Sequence, residues 1–403
     1  MLPFRPAHLL LPLLVAAPCA QAAAASSPAE AVAAGAFSLQ VRVRHEAVAQ
    51  AGLRDAEALT ARARLGFAPA PWAGWSARAE MESVAAADGD RYSQAGVNPA
   101  AAGRAVIADL DSTEINQLHF GRTFGQTRVR LGRQRLFLDN GRFVGDGSWR
   151  QNQQTFDAAV VEDRTWPGTT LTYAHLRQVN RGLGRTHPQG RSRTDSHLFH
   201  ARREGLPGGT LSTYAYFLDF PEVRANGCAT LGASLAGGAP MGPGMRWTYR
   251  VEAARQTDHG ASPLDYAARY LAAESGVNLA RGGLVAGMEV LGHDAGQPFR
   301  TPLATLHPFN GWADVFGASP AGGLRDRYLR LQADLPGALA LSVRRHWFHS
   351  DRGGDRLGEE WDLLLSRQCG KAWTVLAKLA DFRAAGRGLP DVRKSWLQVE
   401  YAR

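Results

Sequence analysis

Residues 37–47, FSLQVRVRHEA, place Phe37, Leu39, Val41 and Val43 on one side of an extended chain and Ser38, Gln40, Arg42 and Arg44 on the other. The alternation returns in LTARARLGF (59–67), where Arg62 and Arg64 oppose Leu59, Leu65 and Phe67. It returns again in WSARAEM (75–81), where Arg78 and Glu80 oppose Trp75 and Met81. Strict period-two patterning means a strand with one apolar and one polar face. About eighteen such segments run between residues 37 and 402, the last at 393–402. Many are about ten or more residues long, which suits a tilted membrane-crossing strand better than the five or six of a globular sheet.

The connections fall into two classes. Short ones at 68–73, 123–126, 164–167, 205–209, 336–337 and 369–370 alternate with longer ones such as 87–112, 139–153, 180–193 and 294–323. A soluble sandwich has no reason to sort its connections this way. An outer-membrane barrel does. In lipid every backbone N–H and C=O must be paired, so a sheet has to close on itself, with its apolar face outward and its polar face on the lumen. The pattern predicts an all-β fold: a transmembrane antiparallel β-barrel of about 18 strands, with short periplasmic turns and long extracellular loops. Trp72, Trp75, Trp166, Trp247, Trp347, Trp373 and Trp396 fall near segment ends, where some would sit in interfacial aromatic girdles and any one of them serves equally as a packing residue.

The N-terminus agrees with that destination. Arg5, an apolar run over 9–17 and the small residues that follow read as a secretory signal peptide over 1–25. A short periplasmic segment (26–36) would follow, then the barrel (37–403), in the cell outer membrane. Net charge is +9, and its basic residues are almost all arginine. That favours polyanionic partners. An exported chain makes nucleic acid a poor partner and an acidic polysaccharide or small organic anion a good one. Outer-membrane lipid, lipopolysaccharide and the barrel assembly machinery are the other expected partners.

Several long strings carry a resemblance. They are LGRQRLFLDNGRFVGDGSWRQNQQTFD (131–157), FRTPLATLHPFNGWADVF (299–316) with GLRDRYLRL after it, HWFHSDRGGDRLGEEWDLLL (346–365) and VLAKLADFRA (375–384). In order and spacing the chain resembles the alginate-export family of Gram-negative outer-membrane porins. That resemblance implies an eighteen-stranded channel and a polyanionic cargo, with membership implying a channel more directly than it implies alginate.

Arg42, Arg44, Arg62, Arg64, Arg78, Arg128, Arg130, Arg330 and Arg344 fall on inferred polar faces. Guanidinium stays charged and grips carboxylates in a fork, so a file of them would concentrate anions in a lumen. The same groups serve equally as wall-stabilising partners of acids such as Glu46, Glu80, Asp157, Asp334, Glu360 and Asp362. The 131–157 string reads as strand, inward loop, strand. Arg133, Gln134 and Arg135 end one wall, Arg142 and Arg150 lie on the loop, and Gln154 and Asp157 begin the next. Here Phe156, Ala158 and Val160 are expected to face lipid and Asp157 the lumen, with the loop narrowing the pore or bracing it. In the second loop Thr301, Thr305, His307, Asn310, Trp312 and Asp314 combine aromatic rings with hydroxyls and amides, which suit either contact with sugar rings or a self-packed loop capping the barrel.

Catalytic readings find little support. No GxSxG, GxxxxGK[ST] or CxxC string is present. His197/His200 and His346/His349, three apart, fall on opposite faces of a strand. No catalytic residue, metal or cofactor is assigned. Cys228 and Cys369 are expected at opposite ends of the barrel, too far apart to bridge. The favoured function is passive, anion-selective passage of acidic polysaccharide or uronate. A general or small-anion porin is the alternative, and a barrel enzyme or structural anchor a further one.

Overall fold

Eighteen long strands close into one antiparallel sheet. The structure, a computed structural model, describes residues 25–386 and 388–403, so the expected signal peptide lies outside the described residues up to position 24. The strands are β1 (Ala36–Gln50), β2 (Ala56–Ala68), β3 (Trp75–Ala86), β4 (Ser112–Phe124), β5 (Thr127–Gln134) and β6 (Thr155–Asp163). Next come β7 (Thr169–Asn180), β8 (Arg191–Leu206), β9 (Gly209–Leu218), β10 (Cys228–Gly242), β11 (Met245–Asp258), β12 (Ala267–Leu279) and β13 (Gly282–Leu291). A two-residue ladder, β14 (His293–Asp294) and β15 (Gln297–Pro298), sits in the following loop. The barrel resumes with β16 (Leu324–Leu335), β17 (Leu339–His349), β18 (Arg356–Cys369), β19 (Trp373–Ala384) and β20 (Val392–Ala402).

Each strand pairs with its neighbour in sequence, and β1 pairs with β20 from Gln40↔Ala402 to Gln50↔Val392, closing the cylinder. No edge is left exposed to lipid, as an unpaired backbone there would cost several kcal/mol per group. The connections alternate as expected, from two-residue turns such as 125–126 and 243–244 to the long segments 87–111, 135–154 and 292–323. A short helix, α1 (Pro28–Ala33), is capped by Ser27 and docks on the short-turn side, where Ala70 N–H donates to the Ala31 carbonyl (2.9 Å). Cys228 opens β10 after a long loop and Cys369 closes β18 before a short turn.

Alternation sorts the faces. Phe37, Leu39, Leu59, Leu65, Met81, Leu118, Phe120, Leu271, Leu284 and Leu397 are exposed on the outside, while Arg42, Arg44, Arg62, Arg64 and Glu82 on the same walls are buried within. Trp75, Trp166, Trp247 and Trp373 are exposed at the short-turn end, while Trp347 lies near the long-loop end of β17 and the exposed Trp361, opposite Arg345, lies two positions nearer the short turns. Trp396 departs from the girdle pattern. It is buried inside, edge-on to Trp149.

Two readings of the sequence are corrected here. The fifth strand ends at Gln134, because residues 135–138 leave the ladder for contacts within the loop, including Leu138 N–H to the Val144 carbonyl (3.0 Å). On β6 the faces are reversed: Phe156, Ala158 and Val160 are buried inside, and Asp157 is outside. Both faces of this strand are largely apolar, so alternation cannot rank them. The ladder can, since Asp157 pairs with Arg133 and Arg133 with Leu118, which is 53% exposed on the outer wall.

Candidate functional site

The inner wall is built from charged rows that the strand register brings side by side. Arg62, Arg42 and Glu400 are successive cross-strand neighbours on β2, β1 and β20. Arg42 Nε donates to Glu400 Oε2 (2.9 Å) and Arg62 Nη2 lies 3.4 Å from Oε1. One row further, Arg44 donates twice to Gln398 Oε1 (3.0 and 2.7 Å) and stands 3.6 Å from Asp109. Arg64 pairs with Glu82 and Arg78 with Glu80. Ion pairs with their own partners and further hydrogen bonds are what make buried charge tolerable.

Two long connections fold inward and interlock. The first is residues 135–154, between β5 and β6. Asp139 (φ 50°) and Gly141 (φ 75°) form its first turn, closed by Gly141 N–H to the Leu138 carbonyl (2.9 Å). The second is residues 292–323, between β13 and β16. Gly145 N–H donates to the Leu303 carbonyl (2.9 Å) and Thr305 N–H to the Gly141 carbonyl (2.9 Å). The backbones approach so closely that a Cβ on Gly145 would overlap Thr305 Oγ1. Phe143 then packs among Tyr214, Tyr216, Tyr270 and Phe299, filling one side of the barrel with apolar contacts.

The loop arginines are held by acids. Arg135 pairs with Asp146. Arg142 forks onto Glu289 of β13 and donates to Asn310 Oδ1 (2.9 Å). Arg150 Nη2 meets Asp314 Oδ2 (3.0 Å) and Nη1 lies 4.0 Å from Glu46. The QNQQ run anchors the same loop. Gln151 donates to Thr60 Oγ1 (2.8 Å), Gln153 to Asp146 Oδ2 (3.1 Å), and Gln154 to the Gly145 and Leu303 carbonyls (2.7 and 3.0 Å). Gln134 is buried, donating to the Ala158 carbonyl (3.1 Å). Trp312 is buried, Asn310 adopts φ 53° and donates to Glu289 Oε2 (2.6 Å), and Thr301 is half-buried.

A cluster at Trp149 joins loops to wall. Its ring stacks on His307 (centroids 4.5 Å apart, 3° between planes) and lies edge-on to Trp396. Arg44 sits over one Trp149 face at 4.1 Å, and Arg44 Nη2 donates to the Trp149 carbonyl (2.7 Å). Lys378 Nζ lies 3.9 Å from the Trp149 centroid and 3.7 Å from that of Trp312. His307 Nε2 is in contact with Lys378 Nζ, and its Nδ1 lies 2.8 Å from Asp314 Oδ1. Burial pushes this imidazole well below its ordinary range, and Lys378 pushes it the same way against Asp314. Burial alone would raise Asp314, but His307, Lys394 and Arg150 hold it well below the usual carboxylate range. Nothing in the local sequence of 148–150 signals this cluster. Its parts come from five separate stretches.

Arg128 and Arg130 stand apart from these paired groups. They alternate with the lipid-side Val129 and Leu131, so they face inward, and neither has an acid within 4.0 Å among the described residues. With Arg78 they crowd His119 on the neighbouring strand. Arg130 is half-buried and Arg128 exposed. Arg330 also faces inward, 3.8 Å from Glu274. Arg344 lies over the Trp312 ring at 4.7 Å and donates to the Pro308 carbonyl (3.0 Å). Arg133 is on the outer wall, paired with Asp157 at 2.7 Å, so these two are removed from the lumen face on which they were expected.

A family model described as alginate export matches residues 35–282, more than half of the chain. A search of curated proteins finds no match. Among solved structures, Pseudomonas aeruginosa OccK9 (OpdG) superposes with a TM-score of 0.72 at 17% identity, covering 92% of this chain and 99% of its own. P. aeruginosa OccK2 (OpdF), solved in complex with glucuronate, gives 0.69 at 15% identity over 92% and 98%. Acinetobacter baumannii OccAB4 gives 0.69 at 12% identity over 91% and 98%. Closed barrel, charged lumen, inward loops and family match agree: the chain is an outer-membrane channel, not an enzyme, and belongs to the alginate export family.

Proposed function

We propose that this channel passes carboxylated solutes of the uronate class, down their gradient, through a lumen whose anion contacts are Arg128 and Arg130. The observation that carries the reading is their combination of inward aspect, solvent access and absence of an acid within 4.0 Å among the described residues, the cross-strand acid Glu162 being paired with Arg164 at 2.9 Å. A guanidinium already forked to a protein carboxylate offers little to a passing anion. A free one draws it in and lets it go. Arg78 with Glu80 and Arg330 with Glu274 are partnered and belong to the wall, and Arg344 holds the Pro308 carbonyl and the Trp312 ring. Arg42, Arg44, Arg62, Arg64, Arg135, Arg142 and Arg150 act by holding the wall and the loops in place. Family membership supports a polyanionic cargo, and the glucuronate complex of OccK2 supports a uronate one.

The interlocked loops favour a second reading, a porin for small organic anions, because they fill part of the bore with fixed side chains. Planar-bilayer recordings separate the two. Anion-selective current that monomeric and oligomeric uronate both block supports uronate passage. Current blocked by monomers and untouched by oligomers supports the small-anion reading, and cation-selective current would overturn both. Lipopolysaccharide contact is proposed for the basic 181–190 loop at the outer mouth.

A further inference from the structure

We infer that the outer wall carries a transition-metal site formed by His175, Asp195 and His197, suited to zinc or another divalent ion of that class. The residues belong to two adjacent strands. His175 of β7 and His197 of β8 are direct cross-strand partners, and Asp195 precedes His197 by two and so shares its face. The spacing argument that separates His197 from His200 along one strand does not reach across a ladder. His200 indeed points inward, to Asp139 (2.9 Å).

The geometry suits coordination. The imidazoles stack with centroids 4.7 Å apart and 7° between planes, and the three donor atoms lie within 4.8 Å of one another. Tyr173 Oη is 2.9 Å from His197 Nδ1, which orients that ring and leaves Nε2 as its ligand atom. His175 Nε2 is 2.7 Å from Asp195 Oδ1, so both atoms already converge on one point. A metal would replace the proton between them, with ligand bonds of about 2.0–2.2 Å. Such second-partner contacts to a ligating histidine are the usual way its orientation is set. Two imidazoles and a carboxylate select zinc, copper or nickel over calcium or magnesium. Arg177, 3.8 Å from Asp195, is the local competitor for the carboxylate.

Position decides access. On the outer face of β8, Phe199 is followed by His197, Asp195 and then Arg193 towards the long-loop end, so the cluster lies where the apolar band gives way to charge. Asp195 is exposed and both histidines are half-exposed. A bound ion would staple β7 to β8 beside the bulge at Leu176/Gln178.

The test uses the full-length protein refolded in detergent, with Zn2+ followed by calorimetry and Cu2+ by electron paramagnetic resonance. One equivalent of Zn2+ is expected, weakened about tenfold or more in His175→Ala, His197→Ala and Asp195→Asn. His349→Ala, an outward histidine elsewhere, leaves it unchanged. Cu2+ spectra should show two nitrogen ligands in the wild type and one in each histidine variant. Heat-modifiable gel mobility confirms that each variant is a folded barrel. Absence of Zn2+ binding by the wild type, or binding that persists in the His175→Ala/His197→Ala double variant, overturns the site.

Discussion

Arg142 and Glu289 meet inside the barrel, with Nε donating to Oε1 at 2.6 Å and Nη2 to Oε2 at 3.1 Å, from positions 147 residues apart. The first belongs to the inward 135–154 loop and the second to β13. A loop that would otherwise sample many conformations is thereby fixed to a rigid wall.

Removing one partner of this buried pair leaves the other uncompensated, at a cost of about 3–5 kcal/mol. Arg142→Ala should therefore lower thermal stability and broaden single-channel current noise as the loop loosens. Glu289→Gln, which retains a hydrogen-bonding amide, should show the smaller effect. Unchanged melting and quiet current in Arg142→Ala would show that the loop is held elsewhere.

Selectivity should follow lumen position rather than arginine content. Arg128→Glu and Arg130→Glu are expected to shift the reversal potential towards cation passage, together more than singly. Arg133→Glu, on the outer wall, should leave the reversal potential where it was. Reversal potentials in a salt gradient across a planar bilayer decide this, and an equal effect of all three would remove Arg128 and Arg130 from their assigned place.

Trp149 is the hub of the loop anchor, sandwiched with His307 and two cations. Deleting a buried aromatic ring costs about 3–5 kcal/mol. Trp149→Ala should release the loop tip from β1 and β19 and raise unitary conductance, measured on single channels. Trp149→Phe should keep most of the packing and fall between the two. Conductance equal to wild type in the alanine variant would mean that the tip does not narrow the bore.

His307 makes this anchor sensitive to acid. Its folded imidazole resists protonation because of burial and Lys378, while the unfolded chain takes up a proton near the ordinary value of about 6.5. The unfolded state then binds more protons below that pH, so the contribution of His307 is complete above about pH 6.5 and falls as the medium is acidified, by about 1.4 kcal/mol per pH unit. Asp314 acts in the other window. Its depressed carboxyl keeps its contribution down to about pH 3.9 and loses it only below. Thermal melts of wild type and His307→Gln at about pH 7.5 and 5 should show the larger acid loss in the wild type. Parallel losses would place the sensitivity at another residue.

Local pattern reaches far in a barrel of this kind. The strand count, the alternation of short and long connections, the inward arginines of β1 to β3 and the opposite ends of Cys228 and Cys369 all depend on period two and on turn length, which are properties of neighbouring residues. FSLQVRVRHEA and LTARARLGF have one unmistakably polar face, so their orientation was legible from the string alone. TFDAAVVED (155–163) has no such contrast, and the pairing of Asp157 with Arg133 and of Arg133 with Leu118 was needed to orient it. Partners were equally hidden. That Arg142 is spent on Glu289 while Arg128 is free, or that His175 faces His197, depends on which strands lie side by side and in what register. The covalent order determined that a closed, lipid-facing cylinder with a basic interior would form. Only the tertiary structure decided which charges are neutralised and which remain open to a solute, because electrostatic pairing acts over a few ångströms of space and takes no account of distance along the chain.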